Sequence, residues 1–230
     1  MNLIHIETST NVCSVAVSQD GKCIFVASDS AGMNHATMLS PFIQKGLDAM
    51  KAGNIFPDAI VVSSGPGSYT GLRIGVSTAK GLCFGYGIPL IGIDTLSILT
   101  QAVILKQAVE TNALLCPMID ARRMEVYTAL YSSDLKQIEP VSAKIVGENS
   151  FLELLDKNTI YFYGNGADKC KEIITHANAK FISAVEPQAE NMIALGEEKF
   201  IKQDFEDTAY FEPFYLKDFQ ATTPKNRFKK

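Results

Sequence analysis

Residues 63–86, SSGPGSYTGLRIGVSTAKGLCFGY, decide how the chain is read. Before them stands Ala59-Ile60-Val61-Val62, a short β-branched run of the kind that forms a buried strand. Gly65-Pro66-Gly67 then breaks regular structure, because two residues tolerate positive φ and one has its φ fixed. Ser68 or Thr70 can cap a following helix by accepting hydrogen bonds from the free amides of its first turn. Strand, glycine loop and helix N-terminus in that order are also the geometry of an anion site.

Two nucleotide motifs fail on these residues. A Walker A loop needs Lys and then Ser or Thr after its second glycine, but Gly71 is followed by Leu72-Arg73. A dinucleotide fingerprint needs a small third residue where Thr70 stands.

The helix carries a second signal. Gly71, Gly75 and Ala79 recur every fourth residue and form one column of very small side chains. Glycine inside a helix costs about 1 kcal/mol against alanine, so its repetition has a packing reason. Either the molecule's own sheet or a second subunit approaches closely along that column. Tyr69 and Arg73 flank the loop, where they could stack on a base and hold a phosphate or a partner's carboxylate, or simply pin the loop.

The remaining chain sets bounds. Its 230 residues allow one domain or two small lobes, and 47% hydrophobic with 20% charged residues is ordinary for a globular protein. A formal charge of −4 argues against a stand-alone nucleic-acid binder. The start, Met1-Asn2-Leu3-Ile4-His5-Ile6-Glu7, has no basic segment before its apolar run and does not read as a signal peptide. No apolar run is long enough to span a membrane. Five unpaired-looking cysteines, Cys13, Cys23, Cys83, Cys116 and Cys170, suit a reducing cytoplasm.

Taken in order, residues 2–7 and Cys13–Val17 read as strands, Asp20-Gly21 as a hairpin turn, and Cys23–Ala27 as a third strand. A helix within 34–52 shows an apolar face, with Pro41 either opening or kinking it. After the glycine-column helix come a strand at Pro89–Ile93 and a helix capped by Asp94. The second half starts the same way. Ile6-Glu7-Thr8-Ser9-Thr10 and the strand after it can be laid over Ile119-Asp120-Ala121-Arg122-Arg123 and Met124–Leu130. A third strand near Leu135–Val141, a short helix near Ser150–Leu155, a strand at Ile160–Tyr163 closed by Gly164-Asn165-Gly166, and helices at Ala167–His176 and Glu190–Gln203 complete it. The expectation is α/β: a duplicated, two-lobed, actin-like (ASKHA, RNase H-like) fold, each lobe a mixed sheet with flanking helices. Its divisions are an N-terminal lobe over 1–108, a smaller lobe over 109–218 and a basic tail over 219–230. That tail could touch RNA phosphates or simply be solvated.

Chemistry is sparse. Glu7 and Asp120 would occupy equivalent turns and could face one cleft, where paired acids hold Mg²⁺ against a phosphate. Glu7, Thr8, Ser9, Ser68, Tyr69, Thr70 and Asp120 are therefore the candidate nucleotide or phosphate contacts. Only the first turn keeps hydroxyls, however; the second is Ala121-Arg122-Arg123. For a metal pair on a helix His35 needs a ligand four residues on, and Leu39 stands there. No catalytic nucleophile is visible.

Three segments together, Ile6–Thr10 with its following strand, the run from Gly65 to Leu96, and Ile119–Tyr127, resemble the TsaB (YeaZ) family of bacterial tRNA threonylcarbamoyladenosine biosynthesis proteins. His35 and Tyr215-Leu216-Lys217 are smaller matches. The resemblance implies a cytoplasmic, non-catalytic subunit that pairs with the transferase subunit TsaD, or with itself as a homodimer, and supports docking of the ATPase TsaE. It implies tRNA contact only through the complex, no metal and no membrane. It requires no cofactor of this chain, though ATP or ADP could sit at a subunit boundary. The family pairs through its first two long helices, which here assigns His35, Met38, Leu39, Phe42, Ile43, Gly71, Arg73, Gly75 and Ala79 to the partner interface. Glu7 in place of the usual Asp and Met124 in place of a common glycine depart from the family pattern. The competing expectation is an independent actin-like ATPase or phosphotransferase working from the cleft between the lobes.

Overall fold

Strand β1 (Asn2–Glu7) is buried on both sides of its sheet because Ile4 and Ile6 face one layer of helices and Leu3 the other. The computed structural model describes residues 1–32, 34–106 and 109–217; the basic tail lies outside the described residues. Around β1 the first sheet places β2 (Cys13–Gln19) and β3 (Lys22–Asp29) antiparallel on one side. Parallel β4 (Ala59–Gly65) and β5 (Leu90–Asp94) lie on the other, so the order is β3-β2-β1-β4-β5.

The second sheet repeats this arrangement. Its strands are β6 (Leu114–Asp120), β7 (Glu125–Ser132), β8 (Gln137–Ile145), β9 (Ile160–Tyr163) and β10 (Ala179–Ile182), in the order β10-β9-β6-β7-β8. Read from its β8 edge, the path is third, second, first, fourth, fifth strand, as in the first sheet. The expected duplication and actin-like fold class are thus what the chain adopts. Glu7 and Asp120 end the two equivalent first strands.

Helices α1 (His35–Ala52) and α2 (Tyr69–Tyr86) lie together on one face of the first sheet, with Leu39, Phe42, Ile43, Val76 and Ala79 in a shared core with Ile4, Val15 and Ile60. Pro41 sits inside α1 rather than at its start. Helix α3 (Thr95–Lys106) is apolar all round because both of its sides are covered. Ile98 packs under the first sheet, while Leu96, Leu99 and Val103 pack on Leu115, Tyr131 and Tyr163 of the second. Asp94 caps this helix, as expected, by accepting from the Ser97 amide at 2.9 Å, and it also accepts from the Tyr131 hydroxyl at 3.2 Å. One carboxylate therefore ties the two sheets together.

The second half is leaner. Where α1 has 18 residues, α4 (Leu152–Leu155) has 4. The helix expected at Ala167–His176 shrinks to a 3-10 turn at Asp168–Cys170 followed by further turns. The expected final helix is a 3-10 turn at Ala189–Met192 running into α5 (Ile193–Ile201). Met192, Leu195 and Phe200 there pack on Leu3, Val61 and Ile91, so the chain returns to cover the open face of the first sheet. The return continues: the Glu206 amide donates to the Leu90 carbonyl and the Phe214 amide to that of Ser64, both in the first lobe. A boundary at 218 for the second lobe misses this, because the closing residues fill the first lobe's core. Of the described cysteines, Cys23 alone is exposed, and all five are free. No described helix is long and apolar enough to cross a membrane.

Candidate functional site

Two places concentrate the residues singled out above: the contact between the glycine loop and the β1–β2 turn, and the outer face of α2. At the first, Ser68 caps α2 by accepting from the Gly71 amide at 3.2 Å, and its own amide donates to the Ser9 carbonyl at 2.6 Å. The Thr8 hydroxyl donates to the Gly71 carbonyl at 2.9 Å. A Cβ on Gly67 would come within 3.0 Å of the Ser9 carbonyl oxygen, one on Gly71 as near to that of Thr8, and one on Gly75 to the Thr8 hydroxyl. The glycine column exists to admit the chain's own β1–β2 turn.

This corrects two expectations. Gly71, Gly75 and Ala79 are sealed inside the subunit and offer nothing to a partner. Leu39, Phe42 and Ile43 are core residues of α1, and His35 is buried with its Nε2 donating to the Val12 carbonyl at 3.1 Å. The apolar periodicity that marked them is that of a core face. Met38 is half-buried and Arg73 exposed. The phosphate contacts fare no better: Glu7, Thr8 and Ser9 are 0% exposed, so the cradle between turn and helix N-terminus is filled by Ser9 and Ser68. Thr70 is exposed and Tyr69 half-buried beside it. Asp120, equivalent to Glu7 in topology, is exposed and pairs with Lys169. The two acids share no ligand position, and among the described residues no group of three His, Cys, Asp or Glu could hold a metal ion.

Burial pushes the Glu7 carboxyl up to about 7, against partial relief from Ser9 and Ser63. Its Oε1 accepts from the Ser9 amide at 2.5 Å, whereas Oε2 is buried with no partner. The sign of the consequence follows. An unfolded chain releases this proton near 4.5 and the folded chain near 7, so the folded state binds more protons between them and loses stability as pH rises through that window. Glu7→Gln removes the charge and should gain stability relative to the parent over the same window, by up to about 1.4 kcal/mol per pH unit. Urea unfolding at several pH values checks this; parallel curves would contradict it.

The outer face of α2 is different. Residues two apart on a helix point about 200° apart, so Ser77, Gly81 and Gly85 lie opposite the inward column. All three are exposed, and a Cβ on Gly81 or Gly85 would meet nothing within 4 Å. Phe84 stands beside them at 90% exposure, with Tyr86 at 46%. The chain bears the helix cost of two glycines here with no contact among the described residues to explain it. Sequence reading noted one small-residue column and missed this second one; the same four-residue spacing was there to find it.

Near the start of α2, the Arg73 guanidinium lies 5.4 Å from the Tyr69 ring centroid, and Tyr69 packs on Tyr215 with ring centroids 4.8 Å apart. Tyr69, Arg73, Ser77 and Lys80 on the helix and Phe211, Glu212 and Tyr215 on the returning chain line a cavity of about 370 Å³. Two residues beyond Tyr215, Lys217 pairs with Glu125 at the base of the β6–β7 hairpin. That hairpin holds Arg122 and Arg123 at φ of 71° and 50°, left-handed conformations that cost a non-glycine residue about 1 kcal/mol or more.

A family model described as TsaD, tRNA N6-adenosine threonylcarbamoyltransferase, matches residues 26–225. The chain belongs to this family. It is similar to the tRNA threonylcarbamoyladenosine biosynthesis protein TsaB of Haemophilus influenzae, 28% identical over 228 residues, covering 95% of this chain and 94% of that protein. TsaB of Bacillus subtilis is 28% identical over 209 residues, covering 86% and 88%. Among solved structures, YeaZ from Pseudomonas aeruginosa superposes with a TM-score of 0.78 at 24% identity, covering 94% of this chain and 99% of that one. The resemblance to TsaB and YeaZ seen in the sequence therefore holds over nearly the whole chain, and the superposition speaks for the fold.

Proposed function

We propose that this chain is an accessory, non-catalytic subunit in tRNA N6-threonylcarbamoyladenosine biosynthesis, which pairs with the transferase subunit TsaD, activates it and supports docking of TsaE. One observation carries the reading. The end of α2 bearing Gly81, Gly85 and Phe84 has the small residues of a close helix–helix approach, and among the described residues nothing comes within 4 Å of where a Cβ on either glycine would stand. A helix backbone of the partner lies on Gly81 and Gly85, and Phe84 enters a pocket on that partner as the anchor. On α1, Thr37, Ser40 and Pro41 are exposed and Met38 half-buried. In isolation the same face pairs two copies of the chain.

The independent ATPase reading has less support, since Glu7, Thr8 and Ser9 are closed off by the glycine loop. Reconstitution tests the choice. tRNA threonylcarbamoylation by TsaD and TsaE should depend on adding this chain, and the chain alone should release no phosphate from ATP and Mg²⁺. Full modification without it, or phosphate release by the pure chain that Glu7→Gln abolishes, would refute the proposal.

A further inference from the structure

The sequence has four arginines, Arg73, Arg122, Arg123 and Arg227. The three within the described residues lie at two places that one strap joins, the start of α2 and the turn between β6 and β7. The Phe214 amide holds the strap to Ser64 before the glycine loop, Tyr215 packs on Tyr69, and Lys217 reaches Glu125 beside the hairpin. Tyr215 and Lys217 are two residues apart, so at most about 7.6 Å separates the Cα atoms that make these contacts. The α2 start with Arg73 and the hairpin with Arg122 and Arg123 thus lie at the two ends of this short strap. Two nearby carboxylates are already taken, Asp120 by Lys169 and Glu125 by Lys217, while Glu212 lines the cavity beside Arg73. No described carboxylate pairs with any of the three guanidiniums; Arg73 contacts the Tyr69 ring and hydroxyl.

From this juxtaposition we infer that the strap, the start of α2 and the β6–β7 turn form an RNA-binding surface of this chain, on which Arg122, Arg123 and Arg73 hold successive phosphates. The inference rests on the proposed role in tRNA modification and adds that this chain touches the tRNA itself. Arginine is the side chain suited to phosphate, through its planar fork of donors, and it also stacks on exposed bases. The cavity walled by Phe211 and Tyr215, which also holds Lys80 and Glu212, gives an unstacked base a platform next to Arg73. The net charge of −4 is no obstacle to a local cationic patch, since phosphate feels the field of the nearby charges first. An acidic protein surface could use the same charges, but it would have no use for the aromatic platform.

Anisotropy titration of a labelled, unmodified tRNA transcript tests this, with the full chain alone and with the chain assembled with TsaD. Removing Arg73, Arg122 and Arg123 together (each to Gln) should weaken binding at least tenfold at ~0.1 M salt. It should also flatten the slope of log K against log salt by about 2 to 3, near one unit per lost phosphate contact. A matched variant, Lys51→Gln with Lys136→Gln and Lys202→Gln, removes the same charge elsewhere and should bind like the parent. Melting curves of both variants establish that they fold. Equal loss in both variants, no loss in either, or no binding of the transcript by the parent in either form would overturn the inference. So would an arginine variant that binds tRNA normally but no longer pairs with TsaD, which would make the surface a protein dock. Failure of the parent chain to pair with TsaD would instead strike the proposed function, and the titration of the chain alone would still decide the RNA question.

Discussion

Gly71→Ala is expected to lower the melting midpoint by about 6–12 °C, the shift that a loss of about 3 kcal/mol produces in a domain this size. The added methyl would press on the backbone carbonyl oxygen of Thr8 at less than 3.0 Å, and a backbone atom cannot swing aside as a side chain can. Moving the β1–β2 turn would disturb the Thr8 hydroxyl bond to the Gly71 carbonyl and the Ser68 amide bond to Ser9 together. On the same helix, Gly81→Ala meets nothing within 4 Å and should raise stability by up to about 1 kcal/mol, since alanine is the better helix former. Scanning calorimetry of the two variants reads both signs. A Gly71→Ala protein that melts with the parent would mean that the loop and turn do not close on each other.

The second large effect is on association. Phe84→Asp should weaken pairing with TsaD by two to four kcal/mol, on the order of thirty- to a thousandfold, as loss of a central aromatic anchor does. Gly81→Leu should act similarly by holding the partner helix away. Neither should unfold the subunit, because Phe84 is 90% exposed and Gly81 faces open space. Size-exclusion chromatography of mixed subunits, with melting curves alongside, separates the two effects. Retained pairing in both variants would move the interface off this face.

The duplication was legible in the sequence because it rests on local signals: an acid ending a strand, a polar turn, an alternating return strand, and a Gly-x-Gly closing the fourth strand. In the structure Gly67 closes on Ser9, and Gly166 likewise on the Ile119–Asp120 backbone, so both copies use the motif alike. The inward glycine column was also legible, but its partner was not. Small side chains reveal close approach and leave open what approaches, and Thr8 stands 63 positions from Gly71. The same limit applies to Leu39, Phe42 and Ile43, since a periodic apolar stripe marks a covered face whoever covers it. Residues 189–214 return to the first lobe through contacts such as Met192 on Leu3, which no local pattern records. The four-residue strand β10 and the 3-10 turn at Asp168–Cys170 are too short for periodicity to separate from turns.

Hydrogen–deuterium exchange on the chain with and without TsaD tests the central claim, that the outer face of α2 is where this subunit meets its partner. Backbone amides across Ser77–Tyr86 should gain protection on mixing, while the already enclosed first turn of α2 around Gly71 changes little. Unaltered exchange along Ser77–Tyr86 in a mixture that has demonstrably formed a complex would contradict the account.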